Sequence, residues 1–289
     1  MTTATPNPTA TPNPAALPEL SSDYALSPEA IQELRRDGHV LLRHVCSPDE
    51  LAAYRGAINS AAERFNTETR PLEERDTYGK AFLQIMNLWA QDEAVKRFTM
   101  ARRFAKIAAE LLGVDGVRLY HDQALFKEPG GGPTPWHQDQ YYWPLDTDNT
   151  ITMWMPLVDV PQEVGSMTFG TRTHEIGYLG EFAISDKSDQ VFQQMIEDKK
   201  IGLKNYGALQ AGDATFHYGW TLHGAPGNPT PRVREVMTII YIADGARIID
   251  PAGNTNRQDD IERWMPGLGP GDLAASELNP LVYSSRQPN

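Results

Sequence analysis

The chain has 289 residues, 26 Lys+Arg against 38 Asp+Glu for a formal net charge of −12, and a single cysteine. That length holds one large domain or two small ones, and 40% hydrophobic residues with six tryptophans supply a real core, which excludes wholesale disorder. The acidic balance argues against nucleic acid or an anionic membrane as partner, since both are polyanions, and the lone Cys46 excludes a disulfide framework and any cysteine-rich metal site while suiting a reducing cytoplasm.

In chain order, residues 1–18, MTTATPNPTATPNPAALP, have neither the basic start nor the apolar middle of a secretory signal. Their prolines remove backbone donors and little in them can pack, so a disordered or polyproline-like arm is expected, followed by one domain over residues 19–289. No run of about 18 apolar residues follows that would span a bilayer. Ser27-Pro28-Glu29 reads as an N-cap, a proline in the first turn and an acidic start, opening a helix that ends near Gly38. Residues 39–45, rich in Val and Leu, read as a strand. Ser47-Pro48-Asp49-Glu50 repeats the device with Glu50 placed for a capping box, and leads into Leu51, Tyr54, Ile58 and Ala62 on one face. A further helix over 101–112 stops at Gly113, which gives a helical layer over about residues 28–113.

From Val117 the pattern changes to short β-branched and aromatic runs at 117–127, 151–158, 166–169, 214–217 and 233–242, separated by Gly, Pro, Asn and Asp. Strands with few helices between them predict an antiparallel sandwich or barrel over about 117–245, with the helical front packed on it. Residues 251–289 read as irregular coil around one short helix at 258–264.

Among seven histidines the informative one begins His137-Gln138-Asp139. Residues i and i+2 of an extended strand share a face, so an imidazole and a carboxylate stand side by side. With a distant histidine they would complete a 2-His-1-carboxylate triad, a donor set that suits Fe(II) and leaves cis positions open. His223, in Leu222-His223-Gly224, lies 84 positions after Asp139, room enough for strands to return it. Eleven residues further comes Arg234, whose guanidinium fork suits the free carboxylate of a dicarboxylate cosubstrate; Arg232 is the alternative anchor.

The bland readings stand beside these. His217 is either a core histidine or a group next to the metal or substrate. His121 reads as a strand histidine satisfied by backbone or water. Tyr141, Tyr142 and Trp143 are either core or the lining of a substrate pocket.

His137-Gln138-Asp139, the distal Leu222-His223-Gly224 and Arg234 together resemble the phytanoyl-CoA dioxygenase family over about residues 28–245. The resemblance implies a mainly β fold with flanking helices, the double-stranded β-helix (a cupin-like jelly roll), and Fe(II)/2-oxoglutarate-dependent oxidation of a small molecule with O2 as cosubstrate. It implies His137, Asp139 and His223 as iron ligands and Arg234 on the C5 carboxylate of 2-oxoglutarate, with Gln123, Trp154 and Gln138 as further cosubstrate contacts. Many relatives carry serine two residues after the distal histidine, where this chain has Ala225, a loss of one hydrogen bond of about 1 kcal/mol. Asp139 itself implies hydroxylation or another oxidation, since related halogenases carry a small residue there. Two rivals remain: a cupin-like metalloenzyme that does not use 2-oxoglutarate, and a non-catalytic jelly-roll binding protein.

Overall fold

A computed structural model describes residues 16–180 and 182–286. Most of the expected tail, residues 1–15, lies outside the described residues, and its expected boundary at 18 is corrected. Leu17 and Leu20 are buried, and the carbonyls of Pro18 and Leu17 accept hydrogen bonds from the Tyr54 hydroxyl and the Arg97 guanidinium.

The helices form where local signals place them. Helix α1 (Pro28–Asp37) opens at Ser27, whose hydroxyl accepts from the Ala30 N–H, and closes on Gly38 at φ 87°, a conformation a side chain would strain. Helix α2 (Pro48–Phe65) has the full Ser47/Glu50 capping box. The short helices α3 (Thr77–Ala81) and α4 (Glu93–Thr99) lead to α5 (Arg102–Leu112). Helix α5 buries Phe104, Ile107, Ala108 and Leu111, where each large side chain contributes about 1.5–3 kcal/mol.

Seven strands make the larger sheet: β1 (His39–Leu42), β2 (Leu83–Met86), β3 (Gly116–Lys127), β5 (Thr150–Pro156), β8 (Ala214–Tyr218), β10 (Arg234–Ala243) and β11 (Leu281–Ser284). Their order is β1-β8-β5-β10-β3-β11, all neighbours antiparallel, with β2 also paired to β3. The smaller sheet has the order β4-β9-β6-β7, from β4 (Thr134–His137), β9 (His223–Ala225), β6 (Thr168–Gly170) and β7 (Leu203–Asn205).

Alternation sorts the side chains of β10. Met237, Ile239 and Tyr241 join Met153, Met155 and the helices in the main core. Arg234, Thr238 and Ile240 face the other way, into a cavity of about 400 Å³ that is also lined by His137 and His223 of the smaller sheet. The register of β10 on β3 slips from Ile240↔His121 to Tyr241↔Leu119, so Tyr120 is an extra residue and its ring lies 5.0 Å from that of His121.

Two expectations are corrected. The region expected to hold strands with few helices contains α6 (Asp186–Lys199), a largely polar helix started by Ser185 that buries little beyond Phe192. The C-terminal stretch is more ordered than expected: the helix expected at 258–264 is present as α7 and starts three residues earlier (Thr255–Trp264), and β11 returns to pair with β3. No helix among the described residues is long and apolar enough to cross a membrane.

Candidate active site

The antiparallel pairing of β4 with β9 sets His137 directly opposite His223. Each imidazole is oriented by its own backbone: Nδ1 of His137 donates to the Pro135 carbonyl at 2.8 Å, and Nδ1 of His223 to the Thr221 carbonyl at 2.9 Å. A carbonyl only accepts, so Nδ1 carries the hydrogen in both rings and Nε2 presents its lone pair. Both Nε2 atoms converge on Oδ1 of Asp139, at 3.5 and 3.7 Å. One ligand atom from each of the three lies within 4.8 Å of the others. Two imidazole nitrogens and one carboxylate oxygen, with no thiolate, fit a divalent first-row metal such as Fe(II).

The other carboxylate oxygen is held from outside. Oδ2 of Asp139 accepts from the Thr152 hydroxyl at 3.0 Å and lies 3.3 Å from Nε2 of His217. Strand β5 supplies Thr152 and the neighbouring β8 supplies His217, which are cross-strand partners. Burial alone would push the Asp139 carboxyl up, but His223, His137 and His217 outweigh it and hold it well below the usual carboxylate range. Burial, and then the nearby His137, keep His223 neutral. An ionised carboxylate beside a neutral imidazole is the protonation state a metal requires.

Arg234 opens β10 at the far end of the same cavity. It is 2% exposed, its Nε has no partner, and Nη1 donates to the Gly165 carbonyl. The guanidinium lies 5.3 Å from the Trp154 ring centre, and burial draws its pKa down to about 10. Among the described residues it has no carboxylate in ion-pair reach. Lys127, its cross-strand partner on β3, is also buried, and burial together with Arg234 draws it down to about 6. Lys127 is thereby favoured as a neutral amine that donates to the Gly132 carbonyl, which leaves Arg234 as the buried cation without a counter-ion, a cost that a bound carboxylate would relieve. Arg232 lies exposed on the preceding loop and does not line this cavity.

The structure brings most of the remaining expected residues together, with two corrections. Gln123, Trp154, Tyr142, Trp143 and His217 line the cavity. Gln138 does not: lying between residues that point inward, its side chain points away, donating to the carbonyls of Gly177 and Trp220 and accepting from the Leu179 N–H. Tyr141 is buried against α7, its hydroxyl accepting from Asn256. The bland reading of His121 is also corrected, since it lines the cavity and its Nδ1 has no partner. Sequence reasoning missed Thr152, although it lies two residues along a strand from the inward-facing Trp154. It also missed the wall that α7 contributes.

Comparisons with known proteins agree with this geometry. The family model described as Phytanoyl-CoA dioxygenase (PhyH) matches residues 34–236. A probable alpha-ketoglutarate-dependent hypophosphite dioxygenase of Stutzerimonas stutzeri is 25% identical over 210 residues, covering 69% of this chain and 70% of the relative. The crystal structure of SnoK, a non-heme alpha ketoglutarate dependent carbocyclase from nogalamycin biosynthesis, superposes with a TM-score of 0.71 at 26% identity, covering 90% of this chain and 97% of SnoK. The epimerase SnoN, solved with Fe3+, alpha ketoglutarate and nogalamycin RO, gives a TM-score of 0.70 at 26% identity, covering 88% of this chain and 98% of SnoN.

Proposed function

This chain belongs to the phytanoyl-CoA dioxygenase family and is a non-haem iron, 2-oxoglutarate-dependent dioxygenase; from that premise we propose that it hydroxylates an unactivated C–H bond of a small organic metabolite. The two facing sheets are read as a double-stranded β-helix. The observation that carries the site assignment is the convergence of both Nε2 atoms on Oδ1 of Asp139, in the same cavity as the unpaired guanidinium of Arg234.

In this reading His137, Asp139 and His223 would hold Fe(II). Iron and 2-oxoglutarate, when bound, supply the activation of O2, coupled to release of succinate and CO2. The chain's own residues do the rest. Arg234 pairs with the C5 carboxylate through charge-assisted hydrogen bonds, and the low dielectric around it strengthens that grip. The Trp154 ring packs beside the guanidinium. Gln123 and Thr238 line the cavity between Arg234 and His121 on the same faces of β3 and β10, where they orient the cosubstrate. Ala225 lacks the hydroxyl many relatives have there, but its cross-strand partner Thr134 lines the same cavity and offers one. Tyr142 and Trp143 wall the substrate side with aromatic rings, which help to exclude water from the reacting carbon.

The test is anaerobic addition of Fe(II) and 2-oxoglutarate to the purified protein. A visible charge-transfer band is expected, and it should be absent from His223→Ala and Asp139→Ala. A succinate-release screen over a metabolite panel, followed by mass analysis of the product, then checks the reaction. Gain of one oxygen atom is expected. The likeness to a carbocyclase and an epimerase favours a second outcome, hydrogen removal or inversion without oxygen gain, which the same mass measurement separates. Normal turnover by fully chelated protein would sink both readings. Arg234→Ala separates this function from a metalloenzyme that ignores 2-oxoglutarate, because only the former should need far more 2-oxoglutarate.

A further inference from the structure

The cavity has two ends of different chemistry. At one, the charges of Asp139 and Arg234 are answered by a metal and a dicarboxylate under the function proposed above. At the other, α7 forms a wall with Asn256, Asp259, Asp260, Arg263 and Trp264, facing Tyr142 and Trp143. The charged groups of this wall are two carboxylates and one guanidinium, and Asp259 and Arg263 are both exposed. Asp260 is the inward one. Its Oδ2 accepts from the Tyr120 hydroxyl at 2.7 Å, and the Trp264 side chain adds a second hydrogen bond. Both donors are neutral. Arg263 acts on Asp260 only at a distance, without an ion pair, and burial pushes the Asp260 carboxyl up to about 7.

A second group in the same lining is left unanswered. His121 is 3% exposed, its Nδ1 has no partner, and its ring lies 5.4 Å from that of Trp264. Burial draws it down to about 3, so at neutral pH it is an uncharged imidazole able to accept a hydrogen bond. The bulge at Tyr120 puts both groups to use: Tyr120 reaches Asp260 while His121, next along the strand, still faces the cavity. A carboxyl group whose donors are all neutral and which a bound cation would hold ionised, an unpartnered imidazole and aromatic walls form an acceptor-rich compartment. It suits a hydrogen-bond-donating cation and repels an acid.

We propose that this outer compartment receives a substrate bearing an ammonium group, held by Asp260, on a ring skeleton that stacks among Tyr142, Trp143 and Trp264. The inference rests on the function proposed above, since it concerns the substrate end of that site. The ammonium meets a carboxylate at low dielectric and the faces of the surrounding aromatic rings, two attractions that reinforce each other. Polyanionic substrates such as thioesters of coenzyme A are disfavoured by the same arrangement.

Three probes of one skeleton test it: 2-aminotetralin, 2-tetralol and tetralin-2-carboxylate. Each is titrated calorimetrically into the full chain loaded anaerobically with Fe(II) and 2-oxoglutarate. The amine should bind about tenfold or more tighter than the alcohol, as expected of a charge-assisted contact, and the carboxylate weakest. Asp260→Asn keeps the shape and an acceptor for Tyr120; it should lose about tenfold in amine affinity and leave the alcohol unchanged. Should that variant fail to fold, the order of the three probes on the unmodified chain decides alone. Equal binding of all three, tightest binding of the carboxylate, no binding of any, or an amine preference that survives Asp260→Asn would overturn the proposal. The charge-transfer band of the loaded protein is the internal control: its presence with the wrong probe order condemns only the amine receptor, whereas its absence condemns the metal-site reading beneath it.

Discussion

Nε2 of His217 lies 3.3 Å from the oxygen of Asp139 that faces away from His137 and His223. With Thr152 on the same atom, it fixes the carboxylate so that a single oxygen points at the metal position. Replacing His217 with Phe is expected to weaken metal binding by about 10–100-fold, the range for groups that orient a ligand. His217→Gln, which keeps an N–H, should lose less. Calorimetric titration with Fe(II) under argon measures both, and unchanged affinity in His217→Phe would remove the role.

Arg234 predicts opposite effects on stability and function. In the absence of an anion its buried charge is uncompensated, so Arg234→Met should raise the stability of the free protein by about 1 kcal/mol or more. The same change should weaken 2-oxoglutarate binding by about two orders of magnitude, since it removes a buried charge pair. Thermal unfolding with and without 2-oxoglutarate reads both effects. A less stable free variant would contradict the account.

Ala225 and Thr134 face each other across β4 and β9. Adding a hydroxyl with Ala225→Ser should tighten 2-oxoglutarate binding by up to about 1 kcal/mol, roughly fivefold. Thr134→Val should weaken it by a similar factor. The 2-oxoglutarate dependence of succinate release checks the pair, and no change in either variant would show that this edge of the cavity does not touch the cosubstrate.

Asp122 gives a pH prediction away from the metal ligands. One of its oxygens accepts from the Thr99 hydroxyl and the Trp89 N–H, the other has no partner, and burial pushes its carboxyl up to about 7. The folded chain therefore keeps a proton that the unfolded chain releases, and the stability this group contributes is lost as pH rises from about 4 to about 7. Asp122→Asn mimics the protonated acid, so its advantage over the unmodified chain should be greater at about pH 8 than at about pH 5 in urea unfolding. A difference that does not vary with pH would refute the assignment.

What was legible in the sequence was what short range decides. Ser27 and Ser47 announce their helices because capping is settled within four residues, and His137 with Asp139 announce a shared face because strand alternation is equally local. Gln138 was misplaced by the resemblance, although the same alternation that joins its neighbours turns it away. Strands β4 and β9, of four and three residues, carry too little pattern to be seen alone, yet they hold both metal-facing histidines. Asp260 was illegible for a different reason. Its meaning comes from Tyr120, 140 positions earlier, and nothing in the polar stretch around α7 foretells that it folds back against β3.

That return has an evolutionary consequence. The histidines, Asp139 and Arg234 all stand on or directly beside strands of the two sheets, while α7 is attached to them by side-chain contacts such as Arg257 to the Tyr141 carbonyl and Asp260 to Tyr120. The candidate metal site and the wall proposed to receive the substrate are thus built from separable stretches of polypeptide. Exchanging residues 251–268 between relatives should transplant selectivity without rebuilding the iron centre, which makes this helix the natural cassette for redirecting the enzyme.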